Sequence, residues 1–351
     1  MVTRGGYREG VAGSCRDHDS CVTSTVEVGR EGGELASMQT AGGVIDTVDL
    51  GRTLMHEHVF VLSPELQQNY DLGWDEDARV GDAIERLNEL KAAGIDAIVD
   101  LTVVGLGRYI PRIKRIAAET ELHIVVATGL YTYADLPHYF DYRSPEAMVE
   151  LFVRDITDGI GETGVRAGIL KCATDEPGVT PGVERVLRAV ARAHRQTGVP
   201  ISTHTHAGTR RGLEQQRIFA EEGVDLGRVI IGHSGDSTDI AYLEELIDAG
   251  SYLGMDRFGI DVFLPFEQRV GTVATLCERG HADRLVLSHD AACHMDWFDE
   301  GMLRAAAPNW NFLHITRDVL PALRERGVTE EQITQMLVTN PREIFATTGA
   351  Y

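Results

Sequence analysis

The sequence predicts one large α/β domain, a closed (β/α)8 barrel of eight parallel strands. Three observations carry that expectation. After residue 80 one unit recurs: an amphipathic helical stretch, a glycine, and a short apolar strand. The strands are apolar throughout, which marks a parallel sheet covered by helices. The chain has 351 residues, 43% of them hydrophobic, enough for one barrel-sized core. The rival is an open doubly wound sheet, whose glycine fingerprint is poorly met. Gly105-Leu106-Gly107 follows a strand, but the third glycine is missing and Tyr109-Ile110-Pro111 comes next.

Residues 1–40 are rich in Gly, Ser, Arg and Glu and show no hydrophobic period. They are expected to form a disordered N-terminal extension, leaving 41–351 as the barrel. Met38 stands where the ordered sequence is about to begin and is a candidate true start. Peptides from residues 1–37 in the native protein, read by mass spectrometry, would sink that idea.

The first strand is Thr53 to Phe60, and strands 3 and 4 are His123 to Thr128 and Ala167 to Lys171. The other five follow helices. Asp82 to Ala93, with Ile84, Leu87 and Leu90 on one face, leads through Gly94 to Ile95–Leu101. Val183 to Thr197 leads through Gly198 to Val199–Thr203, and Leu213 to Glu222 through Gly223 to Arg228–Gly232. Ile240 to Ala249 leads through Gly250 to Ser251–Gly254, and a last helix before Gly280 leads to Arg284–Ser288. Each glycine suits a left-handed helix C-cap.

Charge and cysteine content exclude several functions. With 33 basic and 54 acidic residues the formal charge is -21, which repels nucleic acid and anionic membrane. A neutral or cationic small substrate, or a metal, suits such a chain better. Cys15, Cys21, Cys172, Cys277 and Cys293 are odd in number and contain no Cys-x-x-Cys, so neither a disulfide framework nor a cysteine zinc site is expected. A reducing cytoplasm is the simplest home. No run of 18 apolar residues is present to span a membrane, and the N-terminus lacks the apolar core of a signal peptide.

The chemistry gathers at strand ends. In Leu54-Met55-His56-Glu57-His58, strand alternation turns His56 and His58 to one face and Glu57 to the other. Two such imidazoles can share a metal ion, or can be satisfied core or surface histidines. Helical His-Glu-x-x-His spacing is absent. Lys171 lies at the end of strand 4, His204 of strand 5, His233 of strand 6, Asp256 and Arg257 of strand 7, and Asp290 of strand 8. In a parallel barrel these ends meet at one face. Four imidazoles and a carboxylate exceed the needs of one tetrahedral zinc, so two metals and a hydrolytic reaction are expected. Lys171 sits in the apolar run Gly168–Ala173, where a buried ammonium beside two cations should lose its proton. A neutral amine can take up carbon dioxide as a carbamate able to bridge two metals. The plainer possibility is a lysine that pairs with Asp290 or Asp175, or reaches solvent.

Six segments in order resemble the phosphotriesterase family of the amidohydrolase superfamily, and within it the phosphotriesterase-like lactonases. They are Leu54–His58, Gly168–Lys171, Ser202–His206, Ile231–Asp236, Gly254–Arg257 and Leu287–Asp290, within a resemblance that spans about residues 40–346. The resemblance implies that His56, His58 and Asp290 bind a first divalent metal and that His204 and His233 bind a second. It implies that N-carboxylated Lys171 bridges them together with a hydroxide. Zinc leads, with cobalt, manganese or iron also accepted by such ligands. His206 and His289 support the site from behind or are structural. Arg257 stands where the family's phosphotriesterases carry histidine and its lactonases arginine, and Tyr131 matches the lactonases' active-site tyrosine. Asp290 to Trp297, with Ala292 and His294, looks like the loop over their apolar acyl channel.

The implied reaction is attack of the bridging hydroxide on a lactone carbonyl. Tyr131 would stabilise the oxyanion, Asp290 would carry the proton, and Arg257 and Asp256 would orient the ring and Asp290. The substrates implied are N-acyl homoserine lactones, a quorum-quenching activity, or other aliphatic lactones, with slow organophosphate triester hydrolysis as a side activity. The rivals are a dedicated aryldialkylphosphatase, a single-metal deaminase of the same superfamily, and a non-catalytic barrel that binds. A homodimer is what the family implies.

Overall fold

The computed structural model describes residues 36–346 and 349–351. The expected disorder of the N-terminal extension falls on residues 1–35, outside the described residues, except for its last few. Those last few require a correction. Ser37–Thr40 form strand β1, paired antiparallel with β2 (Gly43–Asp46). Met38 is buried, and the Ala41 N–H donates to the Ile124 carbonyl at 2.7 Å. The hairpin therefore packs beside the start of a barrel strand. Its four-residue strands are too short to display a hydrophobic period.

The barrel strands are β3 (Thr53–Val61), β4 (Ala97–Asp100), β5 (His123–Gly129), β6 (Ile169–Thr174), β7 (Ile201–Thr205), β8 (Val229–Ile231), β9 (Tyr252–Met255) and β10 (Leu285–Leu287). Each pairs in parallel with the next in sequence. The eighth position is split. β10 pairs with β9, and the continuing chain turns through Ser288–Ala291 into β11 (Ala292–Met295), which pairs with β3. Between them the Asp290 N–H donates to the His56 carbonyl at 3.0 Å, and the His58 N–H to the Ala291 carbonyl at 2.8 Å. These bonds close the barrel and place Asp290 beside the two histidines of β3.

The helices follow the predicted logic. In Pro181–Thr197, the Thr180 hydroxyl accepts from the Val183 N–H, and Pro181 occupies the first turn. Val183, Val186, Leu187 and Val190 are buried against the sheet. Gly198 ends the helix at φ 76, where a side chain would be strained and its Cβ would lie 2.4 Å from the Gly349 backbone. The first predicted helix begins earlier than Asp82, at Glu76, because Asp75 caps the Ala78 N–H.

Candidate metal centre

β3 places His56 and His58 on one face, both buried, and Glu57 on the other. The strand runs past them to Val61, so the histidines lie within it rather than at its end. Lys171 lies inside β6 and is fully buried, while His204 lies inside β7. His233 and Asp290 follow β8 and β10 with φ of 58 and 57. Left-handed backbone at a non-glycine residue costs on the order of 1–3 kcal/mol. Among the described non-glycine residues only Arg210 shares this conformation. Strain at two predicted ligands marks the place where side-chain aim has overridden backbone preference.

The six predicted ligands converge. Asp290 Oδ1 lies 3.3 Å from His56 Nε2 and 3.2 Å from His58 Nε2. Lys171 Nζ is 3.0 Å from His56 Nε2 and donates to the Thr203 carbonyl at 3.2 Å. His233 Nε2 lies 2.9 Å from His204 Nδ1 and 3.8 Å from Asp290 Oδ2.

Each imidazole's other nitrogen is tied outward. His56 Nδ1 and His233 Nδ1 reach the two oxygens of Asp256, at 2.7 and 3.0 Å. His58 Nδ1 meets the Thr102 hydroxyl at 2.9 Å, and that hydroxyl donates to Asp100 at 2.6 Å. His204 Nε2 meets Asp175 at 2.7 Å. One nitrogen held by an oxygen acceptor and the other turned inward is how metal-binding histidines are oriented. The donor set therefore fits divalent metal. His56, His58 and Asp290 form one possible ligand group. His56, His233 and Asp256 form a second on distances alone, but there the oxygens already accept hydrogen bonds from the two rings.

The electrostatics favour ligating forms. Burial pushes Lys171 down to about 8, against the pull of Asp290 and Asp256. Burial pushes His204 down to about 4, against its bond to Asp175, and lowers His56 and His233 as well. Burial alone would raise Asp290, but His56, His233, His58 and Arg257 together hold it well below the usual carboxylate range. Arg257 Nε donates to Asp290 Oδ2 at 3.1 Å and Nη1 to Asp236 Oδ2 at 2.9 Å.

The site differs from the sequence reading in one role. Asp256 was expected to act with Arg257 on substrate ring and Asp290. It is 1% exposed, is absent from the cavity lining, and holds His56 and His233 instead. Arg257 alone of the pair touches Asp290. Sequence reasoning gave no site role to Thr102, Asp236 or Tyr133, and it offered Asp175 only as a partner for Lys171, whereas Asp175 bonds His204. Tyr133 lines the cavity beside Tyr131, and the two hydroxyls hydrogen-bond. Tyr131 OH also stands 3.3 Å from His204 Nδ1. The two-residue spacing of the tyrosines just after a barrel strand was the available signal.

A cavity of about 590 Å³ opens over the cluster. Its floor is the six converging side chains. Its wall is apolar, including Leu106, Ile260, Phe263, Met295, Trp297 and Met302. His206 lies aside, bonded to Thr209, and His289 is fully buried behind the strand.

The profile described as the Phosphotriesterase family matches residues 36–345. A solved structure of the phosphotriesterase from Mycobacterium tuberculosis is 66% identical, covers 90% of this chain and 100% of its own, and superimposes with a TM-score of 0.89. The aryldialkylphosphatase of Saccharolobus solfataricus is 41% identical over 307 residues, 86% of this chain and 97% of its own. A structure from work on engineering organophosphate hydrolysis from a weak promiscuous lactonase template is 36% identical, with a TM-score of 0.82 over 88% of this chain and 99% of its own. The match to the family profile over nearly the whole barrel, together with two relatives above 40% identity, means that this chain is a hydrolase belonging to the phosphotriesterase family.

Proposed function

We propose that this hydrolase opens lactones, N-acyl homoserine lactones above all, and hydrolyses organophosphate triesters as a side activity. The observation that carries the reading is the division of the cavity into a polar floor and an apolar wall. An acyl lactone has the same division, one polarised carbonyl joined to an aliphatic tail. The aryldialkylphosphatase relative supports a second reading, a dedicated triesterase.

Two divalent metals would be held by His56, His58 and Asp290, and by His204 and His233, with N-carboxylated Lys171 between them. Zinc leads, with cobalt, manganese or iron as alternatives. Bound there, the metals would acidify a water and polarise the substrate oxygen. The chain's own residues do the rest. Asp290, held by Arg257 at 3.1 Å, takes the proton of the attacking water and delivers it to the leaving alkoxide. Tyr131 donates to the developing oxyanion. Asp236, 2.9 Å from Arg257, fixes the guanidinium. The wall, with Phe263, Trp297 and Met302 exposed, offers apolar surface for the acyl tail to cover. A homodimer and a cytoplasmic location belong to the same proposal, on the likeness to the family and the few cysteines respectively. No described helix is long and apolar enough to cross a membrane. A panel of acyl lactones and aryl dialkyl phosphates tests the reading. Lactone kcat/KM above triester kcat/KM supports it, and the reverse order favours the triesterase.

A further inference from the structure

We propose that Asp256 couples the two metal sites, because one carboxylate orients a histidine of each. The inference rests on the binuclear reading above. Asp256 Oδ2 lies 2.7 Å from His56 Nδ1. Asp256 Oδ1 lies 3.0 Å from His233 Nδ1 and accepts the His233 backbone N–H at 2.8 Å. The two rings stack with centroids 4.8 Å apart. Their opposite nitrogens have different nearest neighbours: His56 Nε2 lies 3.0 Å from Lys171 Nζ and 3.3 Å from Asp290 Oδ1, and His233 Nε2 lies 2.9 Å from His204 Nδ1 and 3.8 Å from Asp290 Oδ2. The other outward contacts serve one ring each, Thr102 for His58 and Asp175 for His204.

The carboxylate has a shaped seat. A Cβ on Gly254 would fall 2.4 Å from Asp256 Oδ2, and one on Gly232 would fall 3.3 Å from it. Gly254 thus leaves room in β9 for Asp256 to fold back between the two histidines, whereas a Cβ on Gly232 would first meet the Thr203 carbonyl at 1.9 Å. Its position after β9 lets it reach a ring from β3 and a ring from the end of β8 at once. Asp256 is thus a positioning residue that presents Nε2 of His56 to one site and Nε2 of His233 to the other.

The two oxygens differ in a way that sharpens the test. Oδ1 serves two donors of His233, and Oδ2 serves one donor of His56. An asparagine keeps its carbonyl where two donors meet and turns its amide towards His56. His56 Nδ1 must then accept, which moves the ring proton to Nε2, the nitrogen needed for ligation.

The test uses zinc-loaded full-length protein dialysed against graded chelator, with metal per chain read by elemental analysis and fold by circular dichroism. Wild type should hold two metals. Asp256→Ala should release both together at roughly tenfold or more lower chelator. Asp256→Asn should release one early and keep the other nearer the wild-type concentration. Asp175→Asn, the comparator, should weaken one metal only. Retention of either metal in Asp256→Ala at the wild-type chelator concentration overturns the coupling, as does joint release in Asp175→Asn. If the alanine chain loses its circular dichroism, the near-isosteric asparagine variant decides, and two metals held as in wild type refute the proposal. Fewer than two metals in wild type removes the binuclear reading itself, and the coupling with it.

Discussion

The Glu57 carboxylate and the His289 imidazole meet at 2.7 Å with neither side chain exposed. Glu57 also accepts from the Ser288 hydroxyl, the His289 N–H and the Ala291 N–H, each at 2.9 Å. His289 Nε2 in turn accepts the Ile315 N–H at 2.9 Å, so this ring carries its proton on Nδ1. The residue between the two histidines of β3 thereby clamps both flanks of Asp290, whose φ of 57 needs such support.

Glu57→Ala should therefore destabilise the protein by about 3–5 kcal/mol, because it leaves several buried donors without an acceptor. Glu57→Gln should cost less, since its carbonyl oxygen keeps part of the network. Urea unfolding midpoints check this. A loss below about 1 kcal/mol for the alanine variant would mean that the clamp is dispensable.

Arg257→His should lower lactone turnover relative to triester turnover. The guanidinium spans Asp290 and Asp236, a reach the shorter imidazole does not reproduce. Paired kcat/KM values on one lactone and one triester decide, and an unchanged ratio removes Arg257 from the specificity account.

Metal-free protein should gain stability as pH rises from about 8, where folded Lys171 titrates, towards 10.5, its ordinary value. In that window the unfolded chain binds the proton and the folded chain does not, so unfolding takes up a proton and becomes harder as pH rises. Below the window the full cost of burying the ammonium remains. The gain is on the order of 3 kcal/mol at most. Lys171→Met should be more stable than wild type near neutral pH and should lose this rise. Thermal melts across the window, without metal, provide the check. The same rise in Lys171→Met would assign it to another group.

Trp297→Ala should flatten the dependence of kcat/KM on acyl length. Trp297 lines the apolar wall near Tyr131, with ring centroids 6.4 Å apart. Each methylene buried there contributes ~0.8 kcal/mol, or roughly fourfold. A lactone series differing by two methylenes measures the slope, and an unaltered slope would place the tail elsewhere.

The barrel was legible because helix period, capping glycine and apolar strand agree locally in five of its units. Strand limits moved by up to three residues, as with Ala167–Lys171 becoming Ile169–Thr174. The six converging side chains were legible because βα topology delivers strand ends to one face. The helix Glu146–Thr157 went unread although Met148, Val149, Phe152 and Ile156 carry its buried face. The split of the eighth strand was hidden because β11 pairs through a turn that no periodicity announces. Thr102, Asp175 and the contacts of Asp256 with His56 and His233 were hidden for a different reason. A residue that holds a ligand from behind is defined by distance in space, and sequence spacing carries no trace of it.

The most direct test of the central claim is metal content and acyl homoserine lactone hydrolysis on one purified sample, before and after chelation. Two metals per chain, with turnover lost on chelation and restored by added metal, is the predicted result. Lactone turnover that survives complete removal of metal would contradict it.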